Sequence, residues 1–281
     1  MKINSAIMKG GLMVILSATV LFSCKKESRN SDDDTTANLS SSATSSGDVY
    51  DDTYDVTMQY GEDNGLSGGR VATDDNARAD ACATVTISPA DTVNYPKTMT
   101  IDFGSGCTSS TGVTRKGKLV VTLTGKIRKS GSVLTVNFDN YYVNGYKVEG
   151  VFSITNNSTP NGLVFTTQTT NGKVTFPSGA WFSHSGTKTF TQTAGYGTPA
   201  FADDSYAITG SFSNANSEGK SVSGTITTAL VKTFACKNIV SGVIQFTYNG
   251  IKGTLDFGSG TCDNAAVITV GTRTYPVTLP R

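Results

Sequence analysis

The residues able to perform chemistry in this sequence are few and poorly grouped. His184, in Trp181-Phe182-Ser183-His184-Ser185, is the single imidazole. A serine hydrolase would need it as base, with Asp203 or Asp204 to orient it, and no G-x-S-x-G elbow presents a nucleophile. The two glutamates after residue 80, Glu149 and Glu218, fall on a strand and at a turn, an unpromising pair for glycoside hydrolysis. Asp102-Phe103-Gly104 and Asp256-Phe257-Gly258 spell the kinase magnesium triplet without its catalytic loop or lysine strand. Gly219-Lys220-Ser221 ends like a P-loop, but Asn214 stands where the first glycine is required. Asp48, Asp51, Asp52 and Asp55 lack the alternation of a calcium loop. With one His and no C-x-x-C, zinc is not expected, nor is any other metal or cofactor.

Four cysteines carry a clearer message. Thr100 to Cys107 (Thr-Ile-Asp-Phe-Gly-Ser-Gly-Cys) returns as Thr254 to Cys262 (Thr-Leu-Asp-Phe-Gly-Ser-Gly-Thr-Cys), and each copy follows another cysteine, Cys82 or Cys236, at nearly the same distance. The repeat favours local disulfides, Cys82 with Cys107 and Cys236 with Cys262, each closing a strand pair. Pairing 82–262 with 107–236 is the second choice. In both copies the Asp is expected to face solvent between buried neighbours and to bond the glycine turn that follows.

Two groups are candidates for binding. Tyr141, Tyr142 and Tyr146 flank one hairpin, and Trp181 and Phe182 lie between Pro and Gly; exposed rings of this kind serve sugar-binding surfaces. Lys118, Lys126 and Arg128, with Arg115, Lys116 and Lys129 at the ends, are read as one basic stripe on a strand running from 118 to 128, able to meet an anionic polysaccharide or to guard the sheet edge.

The elements that must position these groups are strands. From Cys82 onward apolar residues alternate with Thr, Ser and Lys, as in Leu134-Val136-Phe138, Tyr146-Val148, Tyr206-Ile208 and Val222-Ile226-Leu230. Asn144-Gly145, Asn161-Gly162, Asn171-Gly172 and Asn249-Gly250 are each expected to turn a hairpin. About a dozen such strands predict an all-β, antiparallel β-sandwich over residues 81–281, with Val277 and Leu279 buried. Strand-like stretches after each repeat, 118–124 and 273–279, are taken as equivalents.

Before this domain, residues 24–80 hold 5 basic and 13 acidic side chains, against 16 and 9 in 81–281. The acidic segment, Ser/Thr/Asp-rich, is expected to be a disordered tether. A short amphipathic helix near 50–60 is suggested by Tyr50, Tyr54 and Met58 at i, i+4, i+8, with Gly65 to Gly69 ending it. The mildly basic domain is expected to favour anionic partners, nucleic acid excepted.

Residues 1–23 have a basic start (Lys2, Lys9) and an apolar run from Gly11 to Phe22, followed by Leu21-Phe22-Ser23-Cys24. This ending resembles the lipobox of bacterial lipoproteins, which implies cleavage before Cys24 and its acylation. Ser31 to Asp34 resembles the surface-export signal of Bacteroidota lipoproteins. Asp91-Thr92-Val93 and Asp34-Thr35-Thr36 resemble that phylum's O-glycosylation sequon. With the stretches 95–104, 115–118 and 140–145, the chain resembles a family of uncharacterised Bacteroidota lipoproteins. That resemblance implies outer-membrane attachment through lipid, on the surface or the periplasmic face, and no known activity. The expected function is a non-enzymatic module binding glycan or another envelope component; the alternatives are a polysaccharide-directed hydrolase and a purely structural envelope protein.

Overall fold

The computed structural model describes residues 24–68, 83–91, 93–196 and 203–281, with side chains from Ser31 onward. The predicted alternation is realised as fourteen strands. They are β1 (Thr84–Ser88), β2 (Lys97–Asp102), β3 (Cys107–Thr108), β4 (Thr114–Leu123), β5 (Val133–Val143), β6 (Tyr146–Asn156) and β7 (Val164–Thr175). There follow β8 (Trp181–Ala194), β9 (Ser205–Asn216), β10 (Ser221–Thr233), β11 (Ile239–Tyr248), β12 (Ile251–Ser259), β13 (Ala265–Val270) and β14 (Arg273–Thr278). Each pairs antiparallel with its neighbour in sequence, except that β2 bonds to β4 and the short β3 pairs only with β4. The all-β antiparallel expectation therefore holds. The sandwich is replaced by one continuous sheet, because a helix supplies the second layer.

That helix, α1 (Cys24–Asp63), occupies the segment expected to be a tether. Every residue from Ala43 to Glu62 is buried except Asp55 and Gln59, so all sides of the helix are covered. Side chains reach it from β5 (Phe138 on Tyr50), β7 and β8 (Phe165 and Phe190 on Tyr54), and the turn after β2 (Phe103 on Tyr60). Its backbone also approaches β10, β11, β12 and β13. One face of the sheet thus wraps α1. Contacts between distant loops draw the wrap together: Lys237 Nζ donates to Thr111 O at 3.1 Å, and Asn144 Nδ2 to Pro280 O at 2.6 Å.

A Ser/Thr-rich helix tolerates this interior because its hydroxyls bond to its own backbone. Thr36, Thr44, Ser46 and Thr53 each donate to the carbonyl four residues earlier at 2.8–3.2 Å. Small side chains also let the loop after β4 come close: a Cβ on Gly61 would lie 2.4 Å from Ile127 Cδ1. The stop expected at Gly65 holds. Gly65, at φ +74°, donates to Glu62 O, and Leu66 N to Gly61 O, which is the Schellman arrangement.

Wrapping so tightly bends the strands at bulges. Gly117 (φ +79°) breaks the β4–β5 register opposite Asn140, and a Cβ there would sit 2.1 Å from Asn140 O. Asn144-Gly145 and Asn249-Gly250 turn hairpins as expected, all four residues having positive φ. Asn171-Gly172 does not. It is a bulge inside β7, where a Cβ on Gly172 would lie 2.6 Å from the hydroxyl oxygen of Tyr50. A residue at positive φ, here Asn171, suits a bulge as well as a turn, and the missing Cβ of Gly172 leaves space for Tyr50 Oη, which donates to Glu149 O at 2.6 Å.

Candidate functional site

Five strands carry one lateral row of partners on the outer face: Lys116 (β4), Tyr142 (β5), Lys147 (β6), Thr175 (β7) and Trp181 (β8), each opposite the next. Directly opposed residues point to the same side of a sheet. Lys116 Nζ lies 4.0 Å from the centre of the Tyr142 ring, and Lys173 Nζ 5.0 Å from that of Trp181. Glu149, beside Lys147 at 2.9 Å, balances one of the three ammonium groups. With strands about 4.8 Å apart, Tyr142 and Trp181 are about 14 Å apart across the sheet. The result is a cationic platform bearing two rings.

The bulge at Asn140 (φ +47°) decides which tyrosine joins this platform. Val136 faces inward before it; after it the alternation slips by one, so Tyr141 and Val143 are inside and Tyr142 outside. Tyr141 is fully buried with its hydroxyl 3.3 Å from Asp52, and Phe182 is buried beside Phe176. Tyr146 packs edge-on to Phe176, half-buried. Of the five aromatic candidates, the structure keeps Tyr142 and Trp181 on the outer surface.

The basic stripe is not formed. β4 ends at Leu123, so Lys126 and Arg128 lie in the following loop. Lys118 is paired with Asp102 at 2.9 Å, the stem of Lys126 covers Gly68, and Arg128 turns inward to Glu62 at 2.6 Å and Asp204 at 3.5 Å. Thr124-Gly125 ends the strand there, which alternation alone did not disclose. Lys147 and Lys173 were missed, and Lys116 was placed only at the end of the expected stripe, because their common row exists only once the register is known.

Inside, the acidic segment and the basic domain neutralise each other. Asp48, Asp51, Asp52 and Asp55 follow the i, i+3, i+4, i+7 spacing of a single helix face, a signal readable as a stripe and passed over as a failed calcium loop. Arg281 reaches Asp48 and Asp55, both at 2.8 Å; Arg115 holds Asp52 at 2.5 Å, Lys188 holds Asp51 at 2.6 Å, and Lys232 holds Asp55 at 3.0 Å. Burial pushes the Asp52 carboxyl up, but Arg115 and Arg281 together carry it below the ordinary value. For Asp48 burial dominates and the carboxyl rises, despite Arg281. The anionic partner expected for the basic domain is, for these cations, its own helix. Among the described residues no cluster of three or more His, Cys, Asp or Glu is placed to hold a metal ion.

His184 is also interior. It stacks on Tyr50 at 4.8 Å with Nδ1 3.2 Å from Asn214 Oδ1, and burial, then Lys188, push its imidazole down to about 4. Asp204 accepts from Gln192 Nε2 at 2.8 Å, so it does not orient the imidazole as a hydrolase would require. Cavities beside α1 measure about 20 and 10 Å³, room for single waters.

The Asp-Phe-Gly turn of each repeat copy behaves as expected. Asp102 and Asp256 each accept from the N–H of the second glycine-turn residue, Gly104 and Gly258, at 2.8 Å, between buried Ile101/Phe103 and Leu255/Phe257. Cys236 and Cys262 form a disulfide that closes the β11–β12 hairpin. Cys107 is disulfide-bonded too, and Cys82 lies outside the described residues, as do the leader 1–23 and Thr92. Arg273–Thr278 is not the equivalent of β4; β13, which pairs with β12 as β4 does with β2, takes that place. Val277 and Leu279 are buried. A scan against family models and searches of curated proteins and of solved structures found no match for this chain.

Proposed function

We propose that this chain is a lipid-anchored lipoprotein of the outer membrane whose β4–β8 outer face binds an acidic glycan without transforming it. The observation that carries this reading is the row Lys116–Tyr142–Lys147–Thr175–Trp181. Rings stack on the apolar faces of sugars, and ammonium groups beside them pair with uronate or sulfate. Among the described residues α1 fills the space inside the sheet, and the cavities beside it at Lys188 and at His184 have room for single waters, which favours binding on the outside.

The anchor reading rests on the leader and Cys24. Helix α1 begins at Cys24, and among the described side chains the first buried one is Thr36, a rise of about 18 Å from Cys24 at 1.5 Å per residue. An acylated Cys24 would therefore hold the sheet close to the lipid headgroups, where surface polysaccharide is dense. Protease shaving of intact cells separates surface display from the periplasmic face.

Binding is tested on a soluble form starting at residue 25, which retains the helix that fills the sheet. Uronate-containing and sulfated polysaccharides should retard it, weakly at high salt, and Trp181→Ala or Tyr142→Ala should remove the retardation. Unchanged binding in both variants, or no binding to any acidic glycan, would refute the reading.

A further inference from the structure

Lys188 and Asp51 are placed as the two halves of an amide. Lys188 Nζ lies 2.6 and 2.7 Å from the two carboxylate oxygens of Asp51, inside the wrap, and bridges β8 to α1. Asp51 is the only hydrogen-bond partner of that ammonium among the described residues. By contrast, Lys232 spends its N–H groups on Asp55 and on the carbonyls of Cys236 and Lys237. A third group completes the set around Lys188. Asp48, one helical turn before Asp51, lines the same 20 Å³ cavity, and its Oδ2 is buried with no hydrogen-bond partner among the described residues. The remaining walls include Phe212, Leu230, Ile244 and Phe257.

We propose that Lys188 and Asp51 condense into an intramolecular isopeptide bond, with Asp48 relaying the proton. One proton passes from Nζ to an Asp51 oxygen along the existing contact. The amine lone pair then attacks Asp51 Cγ. The Nζ–Cγ bond forms, Asp48 takes the proton released by nitrogen and returns it to the departing hydroxyl, and the Cγ–O bond breaks. One water leaves, for which the adjacent cavity has room. No oxidant or cofactor enters the balance. Burial, which raises the Asp48 carboxyl, suits it to both halves of the relay.

The bond would tie α1 to β8 covalently, so the helix could not be drawn out of the sheet. Peptide mapping of the full chain, after reduction and alkylation, tests this. The expected result is no tryptic cleavage after Lys188 and a branched peptide joining the segments with Asp51 and Lys188, one water lighter than their sum. Linear peptides of full mass cleaved after Lys188 would overturn the proposal, as would a branch mapping to Lys232 and Asp55. Asp48→Asn should fold yet accumulate the branched peptide at least tenfold more slowly. Linkage at the wild-type rate would remove Asp48 from the mechanism, and should that variant not fold, the wild-type map still decides.

Discussion

Arg281 and Asp48 stand 233 residues apart in sequence, and the guanidinium Nε of one lies 2.8 Å from the carboxylate of the other in the middle of α1. The same guanidinium reaches Asp55 with Nη1. Removing it leaves the buried Asp48 carboxylate without its cation, which typically costs 3–5 kcal/mol. Arg281→Ala should therefore lower the urea midpoint by an amount corresponding to about 4 kcal/mol. A shift below about 1 kcal/mol would mean that the pair is not buried as described.

His184 makes stability depend on pH. Its imidazole is pushed down to about 4, chiefly by burial, whereas in an unfolded chain it takes up a proton near 6.5. Between those values the unfolded state binds more protons. The contribution is fully present above about pH 6.5 and is lost as pH falls toward 4, about 3 kcal/mol in all. Denaturation of wild type and His184→Gln across this range should give curves that converge as the pH drops. Parallel curves would contradict the burial of this ring.

Two glycines at nearly the same φ separate backbone strain from crowding. At Gly131 (φ +82°) an added Cβ meets nothing within 4 Å, so Gly131→Ala should cost about 1–2 kcal/mol for its left-handed backbone. At Gly117 (φ +79°) the same Cβ meets the carbonyl of Asn140 at 2.1 Å. Gly117→Ala should cost more than about 3 kcal/mol, because the β4–β5 bulge must open. Thermal unfolding of the two variants would compare them directly.

The Cys236–Cys262 disulfide closes a span of 26 residues. The chain-entropy model gives it about 3.5 kcal/mol, so the double Cys→Ser variant should lose stability of that order. Lys232 Nζ is bonded to the carbonyl of Cys236, so loosening this loop should also weaken the Lys232–Asp55 contact with α1. Hydrogen exchange around Asp55 would show it.

What could be read in the sequence was local. The Asp102 and Asp256 turns, the Cys236–Cys262 bridge, the Asn144 and Asn249 hairpins and the helical spacing of Tyr50, Tyr54 and Met58 each depend on residues close together in the chain. What escaped depends on pairing across the molecule. Residues 35–48 look disordered because they hold little apolar area, yet cations at 115, 188, 232 and 281 surround the helix they belong to. The opposite charges of the two segments were visible, but not that each was the other's partner. Alternation predicted strands and missed the bulge at Asn140, which sends Tyr141 inside and Tyr142 out. The platform with Lys116 and Trp181 becomes visible only in the register of β4 to β8.

Hydrogen exchange along α1 tests the central claim most directly. If the helix is the interior of the sheet, the amides of residues 43–62 should stay protected as long as those of β7 and β8, exchanging only on global unfolding. Exchange of that segment at the rate of an unstructured peptide, with β7 and β8 still protected, would contradict it.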